Sequence, residues 1–262
     1  MDMKAADGPL PGQTGGSHFL AGFVDHSESY GPRVIAKFAR MLPPVSTAVD
    51  LGAGGGRDLG IIKSIHPGVR TIAIEAGQEY AESMRGKFDE VHVSDIERDK
   101  LPFADGSVDL IMANQVLEHT KEVFWIFHEV TRSLKVGGHF LFGVPNVASF
   151  HNRLLLLAGR HPTQHKMVSA HVRPFSRPDT ELFLQSCFPG GYELVAFAGS
   201  QFYPFPAPVA RLLAGTFPGA AFSIFFLIRK TRAYHDEFAR YPARAQLETN
   251  FWTGGSDWGG QY

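Results

Sequence analysis

The chain has 262 residues, 44% of them hydrophobic, which is enough for one large α/β domain with a substantial core and too little for two independent ones. A formal net charge of −1 and a pI near 6.9 give no strong field for phosphate backbones, so bulk duplex binding is disfavoured. The single Cys187 excludes an intrachain disulfide. The N-terminus, with Asp2, Asp7, Gly8, Pro9 and Pro11, has no apolar signal core, so a soluble protein of the cytoplasm is expected.

In chain order, residues 1–17 read as a polar, mobile tail rich in glycine and proline, and residues 18–262 as a single domain. A lead-in helix, Pro32 to Met41, precedes the apolar run Thr47-Ala48-Val49, which is expected to be a strand ending at Asp50. Leu51-Gly52-Ala53-Gly54-Gly55-Gly56 then opens a helix over Arg57 to His66. Glycines suit that turn because the backbone must leave the sheet sharply and let a ligand approach the unpaired N–H groups of a helix start. The ligand is not a dinucleotide by this spacing. A G-x-G-x-x-G count from Gly52 meets Arg57 at its sixth position, and a count from Gly54 meets Leu59. Asp50, two residues before the first glycine, would repel a pyrophosphate but accept hydrogen bonds from a cationic group.

A second strand, Thr71 to Glu75, ends in a carboxylate suited to a pair of ribose hydroxyls, and a third, Glu90 to Ser94, ends at Asp95-Ile96. Leu101-Pro102-Phe103-Ala104-Asp105-Gly106-Ser107-Val108-Asp109 leads into the strand Leu110 to Ala113 and then Asn114-Gln115-Val116-Leu117-Glu118-His119. Lys121 to Lys135 places Phe124, Phe127, Val130, Thr131 and Leu134 at helical spacing, a core stripe. The Gly137-Gly138 turn precedes a strand over His139 to Asn146. A very apolar helix, Val147 to Gly159, is followed by an irregular segment to Pro178, expected to be a substrate lid because long loops in compact domains are usually functional. Pro178 to Cys187 fits a helix, and Tyr192 to Phe197 and Ser223 to Arg229 fit strands. The apolar stretch Leu212 to Ile228 is interrupted by Gly215, Pro218 and Gly219, so it reads as a loop and a buried strand, with no membrane span. Segments 147–178 and 200–221 are expected to be substrate-side insertions, and 232–262 a C-terminal extension.

From Ala48 to Asn146 these motifs, in this order, resemble the class I S-adenosylmethionine-dependent methyltransferases of the ubiquinone-pathway-like superfamily (methyltransferase types 11 and 23). Asp50, Gly52, Gly54 and Gly56 fill the D/E-x-G-x-G-x-G motif, and Leu101 to Asp109 fills L-P-F-x-D-x-S-F/V-D. The resemblance implies a Rossmann-like, doubly wound α/β fold with seven strands, mostly parallel, the last antiparallel. It implies S-adenosylmethionine as cofactor and S-adenosylhomocysteine as product. Asp50, Gly52, Ala53 and Gly54 would lie around the methionine portion, Glu75 and Ala76 at the ribose, Asp95 and Ile96 at the adenine, and Asn114 and Gln115 beneath the sulfonium.

Methyl transfer from a sulfonium is an in-line displacement with a good leaving group, so positioning and a base matter more than an acid. His119, just past the fourth strand, is the first candidate base, and His171 in Ala170-His171-Val172-Arg173-Pro174-Phe175-Ser176 is the second; packing roles are the alternative for each. Small-RNA 2′-O-methyltransferases and ubiquinone-pathway O-methyltransferases look similar here, with E-x-x-E-H and a later histidine holding a divalent metal. This chain supplies Glu118, His119 and His171 for such a site, with Gln115 where the first glutamate stands. His151, His161 and His165 flank the apolar helix and are expected at the surface, with the lining of an acceptor pocket as the alternative, and Arg153, Arg160, Arg173 and Lys166 as solvated loop charges or as a grip on an anionic acceptor.

Pro145-Asn146, Asn152-Arg153-Leu154, the segment around His171 and Glu248-Thr249-Asn250-Phe251 are similar to bacterial members that modify sugars, glycolipid or polysaccharide precursors and other metabolites. O-methylation of a small-molecule or carbohydrate-like hydroxyl is the implied reaction. N-methylation of an amino sugar or amine, an RNA 2′-O-methyltransferase and a non-catalytic cofactor-binding partner subunit are the alternatives. The aromatic segments Phe202 to Pro206 and Phe251 to Trp258 would stack on an acceptor, fold back on the core or pack a partner subunit, which leaves a homo-oligomer open.

Overall fold

The computed structural model of the chain describes residues 30–247, 251, 252 and 254. The tail to Ser17, the Glu248-Thr249-Asn250 motif and Trp258 lie outside the described residues. Seven strands form one sheet in the order β3-β2-β1-β4-β5-β7-β6. They are β1 (Thr47–Leu51), β2 (Arg70–Glu75), β3 (Glu90–Val93), β4 (Val108–Asn114), β5 (Leu134–Pro145), β6 (Tyr192–Ser200) and β7 (Ser223–Lys230). The first five are parallel, and β7 runs antiparallel to both β5 and β6, as the resemblance implies.

Strand residues alternate between two cores because successive side chains leave opposite faces of a sheet. Val49, Leu51, Ile111, Phe140, Phe142 and Phe226 face one layer of helices, and Ala48, Leu110, Met112, Leu141, Phe225 and Leu227 face the other. The second layer contains α1 (Pro32–Ala39) and α2 (Arg57–Ile65), with Ile35, Phe38, Leu59 and Ile62 buried. The remaining helix of this half, α3 (Gln78–Met84), follows β2. The first layer is built on α4 (Val123–Ser133), buried along its whole length. It lies between the sheet and α8 (Glu237–Arg244), with the rings of Phe127 and Phe238 5.3 Å apart. Lys230, buried on β7, donates from Nζ to the carbonyls of Thr131 and Leu134 at 2.7 Å each and so caps the C-terminus of α4.

One expectation needs correction. Residues 207–216 form a helix, α7 (Ala207–Thr216), where a loop was expected. Gly215 read as a break, yet the helix runs through it, and Pro208 sits in the first helical turn, where its missing N–H would have been unsatisfied anyway. The extension after β7 contains α8, whose Phe238, Ala239 and Pro242 are buried. Its tail folds back on the core: Phe251 packs edge-on against Phe124 at 4.8 Å, and the Trp252 backbone N–H donates to Glu122 Oε2 at 2.7 Å. The apolar segment after β5 is helical as α5 (Phe150–Leu157), followed by irregular chain with one 3-10 turn at Thr163–His165 and then α6 (Arg177–Cys187). No helix among the described residues is long and apolar enough to cross a membrane.

Candidate active site

In an open α/β sheet the crevice at the carboxyl ends of the strands, where the strand order reverses, is the natural ligand site. Here that point lies between β1 and β4. Asp50 at the end of β1 is buried, and burial first, then the neighbouring charge of Asp58, raises its carboxyl well above the usual carboxylate range. The turn after it has Gly52 and Gly54 in the left-handed region, with φ of 64° and 52°. A Cβ on Gly52 would lie 2.6 Å from the Val116 side chain, whereas the space beside Gly54 is open. Glu75 bridges two loops: Oε2 accepts from the Gly54 N–H at 2.8 Å and Oε1 from the Gly77 N–H at 2.9 Å. Ala76 and Asp95 are exposed on the same rim, and Ile96 packs against the core.

Asn114, the last residue of β4, donates from Nδ2 to Asp58 Oδ2 at 2.7 Å and to the Tyr30 carbonyl at 2.9 Å. Gln115 follows with φ of 57°, an uncommon conformation for a residue with a side chain. Asn114 Oδ1 and Gln115 Nε2 are buried without a hydrogen-bond partner among the described residues. Buried polar atoms are nearly always paired, so these two await a group from outside the chain. Open space at Gly54, a carboxylate fixed at Glu75 and two orphaned polar atoms at Asn114 and Gln115 suit a polar ligand lying across the ends of β1, β2 and β4.

The second half of the site lies in the 3-10 turn Leu117–His119 after β4. The Glu118 side chain is buried, and desolvation pushes its carboxyl up to about 8. Its Oε2 has no partner among the described residues. The Glu118 carbonyl accepts from the backbone N–H of Val172 at 2.9 Å and of Arg173 at 3.2 Å. Those two bonds dock the distant loop against the turn and set the His119 and His171 rings edge to face, 4.6 Å apart. His119 is exposed and its Nε2 lies 4.0 Å from Glu118 Oε1, while desolvation drives His171 down to about 4. One ligand atom from each of Glu118, His119 and His171 lies within 4.8 Å of the others.

The surface position expected for His165 is wrong. Both its ring nitrogens are buried, without partners among the described residues, and its ring lies 6.3 Å from that of His171. The loop folds inward because Asn152, fully buried on α5, donates to the Asn146 carbonyl and to Gln164 Oε1 and accepts from the Thr163 N–H. Arg173 does not reach for an acceptor: Nη2 donates to the Lys121 carbonyl at 2.5 Å, which pins the loop. His161, Arg160 and Lys166 are exposed as expected, and His151 meets Thr163 Oγ1 at 2.9 Å. Sequence reasoning also missed Asp58 and Tyr30, the partners of Asn114, because both lie far from it in the chain.

Residues 49–142 match the family model described as "Methyltransferase domain". That stretch, from β1 into β5, is similar to methyltransferase domains. Among curated proteins, the matched part of this chain is 36% identical over 109 residues to an uncharacterized 37.1 kDa protein in transposon TN4556 of Streptomyces fradiae, covering 39% of this chain and 31% of that protein. It is 28% identical over 115 residues to the malonyl-[acyl-carrier protein] O-methyltransferase of Methylococcus capsulatus, covering 43% and 42%. To the dimethylglycine N-methyltransferase of Parasynechococcus marenigrum it is 31% identical over 112 residues, covering 41% and 40%. The aligned parts thus span less than half of these relatives. Two solved structures share the fold at a TM-score of 0.52. One is a SAM-dependent methyltransferase from Archaeoglobus fulgidus (18% identity, 78% of this chain and 97% of that one), and the other is YcgJ from Bacillus subtilis (19%, 77% and 99%).

The family match ends at residue 142, within β5, and therefore stops short of α5, the His165–His171 loop and α7. The fold brings His171 back to the turn after β4 from outside the matched region.

Proposed function

We propose that the chain transfers a methyl group from S-adenosylmethionine to a hydroxyl of a small-molecule or carbohydrate-type acceptor. The observation that carries this reading is the pairing of the Glu75-braced glycine turn with the His119–His171 pair at the ends of adjacent strands. When bound, S-adenosylmethionine supplies an electrophilic methyl on a sulfonium whose thioether leaves without protonation. Glu75 holds the ribose while fixing Gly54, Asp95 and Ile96 line the adenine side, and Asp50, Ala53, Asn114 and Gln115 surround the methionine portion. His119, exposed at the rim, takes the proton of the acceptor hydroxyl, and the neutral ring of His171 orients it. Segments 147–178 and 200–221 form the acceptor side. Relatives that act on oxygen and on nitrogen both match this chain, so an amine acceptor is the competing reading within the class.

A divalent metal is the second reading, favoured by the clustered donor atoms of Glu118, His119 and His171. One carboxylate and two imidazoles suit Zn²⁺ or Mn²⁺, and the unpartnered Glu118 Oε2 and His171 Nδ1 fit that demand. Such an ion lowers the pKa of a bound hydroxyl. Calorimetric titration with S-adenosylmethionine and S-adenosylhomocysteine tests the cofactor reading. We expect binding in the wild type, its loss in Glu75→Ala and a weaker effect in the exposed Asp95→Ala. No binding to the wild type, with or without added metal, overturns the proposal. Unchanged methyl transfer after exhaustive chelation removes the metal alone.

A further inference from the structure

The acceptor side of the molecule carries an apolar face with nothing folded over it among the described residues. On α5, Phe150, Leu154 and Leu157 recur at helical spacing and form a stripe opposite the buried Asn152, by which the helix is attached. The stripe points away from the core, and Leu157 is 84% exposed. The loop that docks at Glu118 adds Met167 and Val168, 94% and 82% exposed. Phe150 stacks on Phe202 at 5.8 Å, which joins this face to the second insertion, where Leu212 of α7 is also exposed. Isolated exposed leucines are ordinary, but a run of them along one rim marks an interaction site.

Charge says what the partner is. Between Glu129 and Asp179 the chain has no acidic residue, and between Glu193 and Asp236 it again has none. The exposed side chains interleaved with the apolar ones are instead Arg153, Arg160 and Lys166. Arg153 flanks the α5 stripe, exposed, with its Nε donating to the Ala148 carbonyl at 2.8 Å. Protruding leucine, methionine and phenylalanine beside cations, with acids excluded, is the composition of a surface that inserts shallowly into the headgroup region of an anionic bilayer.

We propose that α5, the loop over residues 160–172 and α7 form an interfacial docking face for an anionic phospholipid membrane. The acceptor then reaches His119 from the lipid surface and is an amphiphile whose hydroxyl-bearing head projects from the bilayer. This last step rests on the methyltransferase reading above; the docking itself does not. The Val172 and Arg173 bonds to Glu118 couple the face to the site, so a bound membrane would lie at the acceptor entrance.

Co-sedimentation of the full chain with vesicles tests the docking without cofactor or acceptor. Vesicles of phosphatidylcholine alone are compared with vesicles of phosphatidylcholine mixed with phosphatidylglycerol, at low and high salt. Three cations near the surface predict roughly a hundredfold tighter binding to the anionic vesicles, reversed by salt. The double variant Leu157→Gln, Met167→Gln should bind at least about tenfold more weakly, because two side chains no longer enter the apolar layer. Both residues are exposed, so its melting temperature should match the wild type. Absence of vesicle binding by a monodisperse monomer overturns the proposal. So does a dimer in solution that the double variant dissociates, since a second copy then covers the face. Binding that is equal on neutral and anionic vesicles also overturns it. Vesicle binding by a protein that fails to bind S-adenosylmethionine would sink the methyltransferase reading and leave the docking intact.

Discussion

Glu118 is the residue whose ionisation should be most visible. Its carboxyl titrates near its ordinary value of 4.5 in the unfolded chain and near 8 in the folded one, because burial disfavours the charged form. Between those values the folded state holds a proton that the unfolded state has lost, so stability falls as pH rises through the window and levels off above it. The slope is at most about 1.4 kcal/mol per pH unit. In Glu118→Gln that slope should vanish, and the variant should be more stable than the wild type above neutrality. Denaturant melts from pH 5 to 8.5 decide this (~0.5-unit steps suffice); identical pH dependence in the two proteins would mean that Glu118 ionises normally. The neighbouring Gln115 shows a limit of sequence reading at this scale. Its position after the fourth strand was legible, but its left-handed backbone and its orphaned Nε2 were not, since nothing in its local sequence demands either.

Among the elements, the loop Leu101 to Asp109 is held by a buried clamp from α4. Arg132 of α4 is buried and donates to the carbonyls of Leu101 and Phe103, to Asp105 Oδ1 and to both oxygens of Glu129. Glu129 Oε2 also accepts from the Leu101 N–H at 2.7 Å. Asp109 closes the other end, accepting from the backbone of Ser46 and Thr47 and from Lys135, and so aligns the starts of β1, β4 and β5. Arg132→Ala leaves the buried Glu129 carboxylate without its cation, with the Leu101 N–H still donating to it, which costs about 3–5 kcal/mol. Chemical denaturation should report a loss of that size, whereas the exposed pair Arg177–Glu181 should yield under about 1 kcal/mol on Arg177→Ala. A loss below about 1 kcal/mol in Arg132→Ala would show that water replaces the clamp. Element boundaries in this half followed the sequence closely. In the second half α7 was not legible, because Gly215, Pro218 and Gly219 interrupt the apolar stretch that begins at Leu212.

At the scale of the whole molecule, a ligand that binds only the folded chain stabilises it by mass action. At roughly a hundred times its Kd, S-adenosylhomocysteine should add about 2.7 kcal/mol. For a domain of this size that raises Tm by about 5–10 °C, measurable by differential scanning fluorimetry. No shift at any concentration would contradict the cofactor reading. The strands of the first half, the glycine turn, the strand-end acids and the post-β4 motif were determined by the sequence itself, because each is written in adjacent residues: apolar periodicity, turn glycines and their spacing. Only the tertiary structure decided the acceptor side. His171 lies 52 positions beyond His119, and the two rings meet because Val172 and Arg173 find the carbonyl of Glu118. His165 turns inward because Asn152 anchors its loop, and the leucines of α5 turn outward for the same reason. An irregular segment has no period of its own, so its burial depends on which distant backbone group satisfies it, and that is fixed only when the chain has closed.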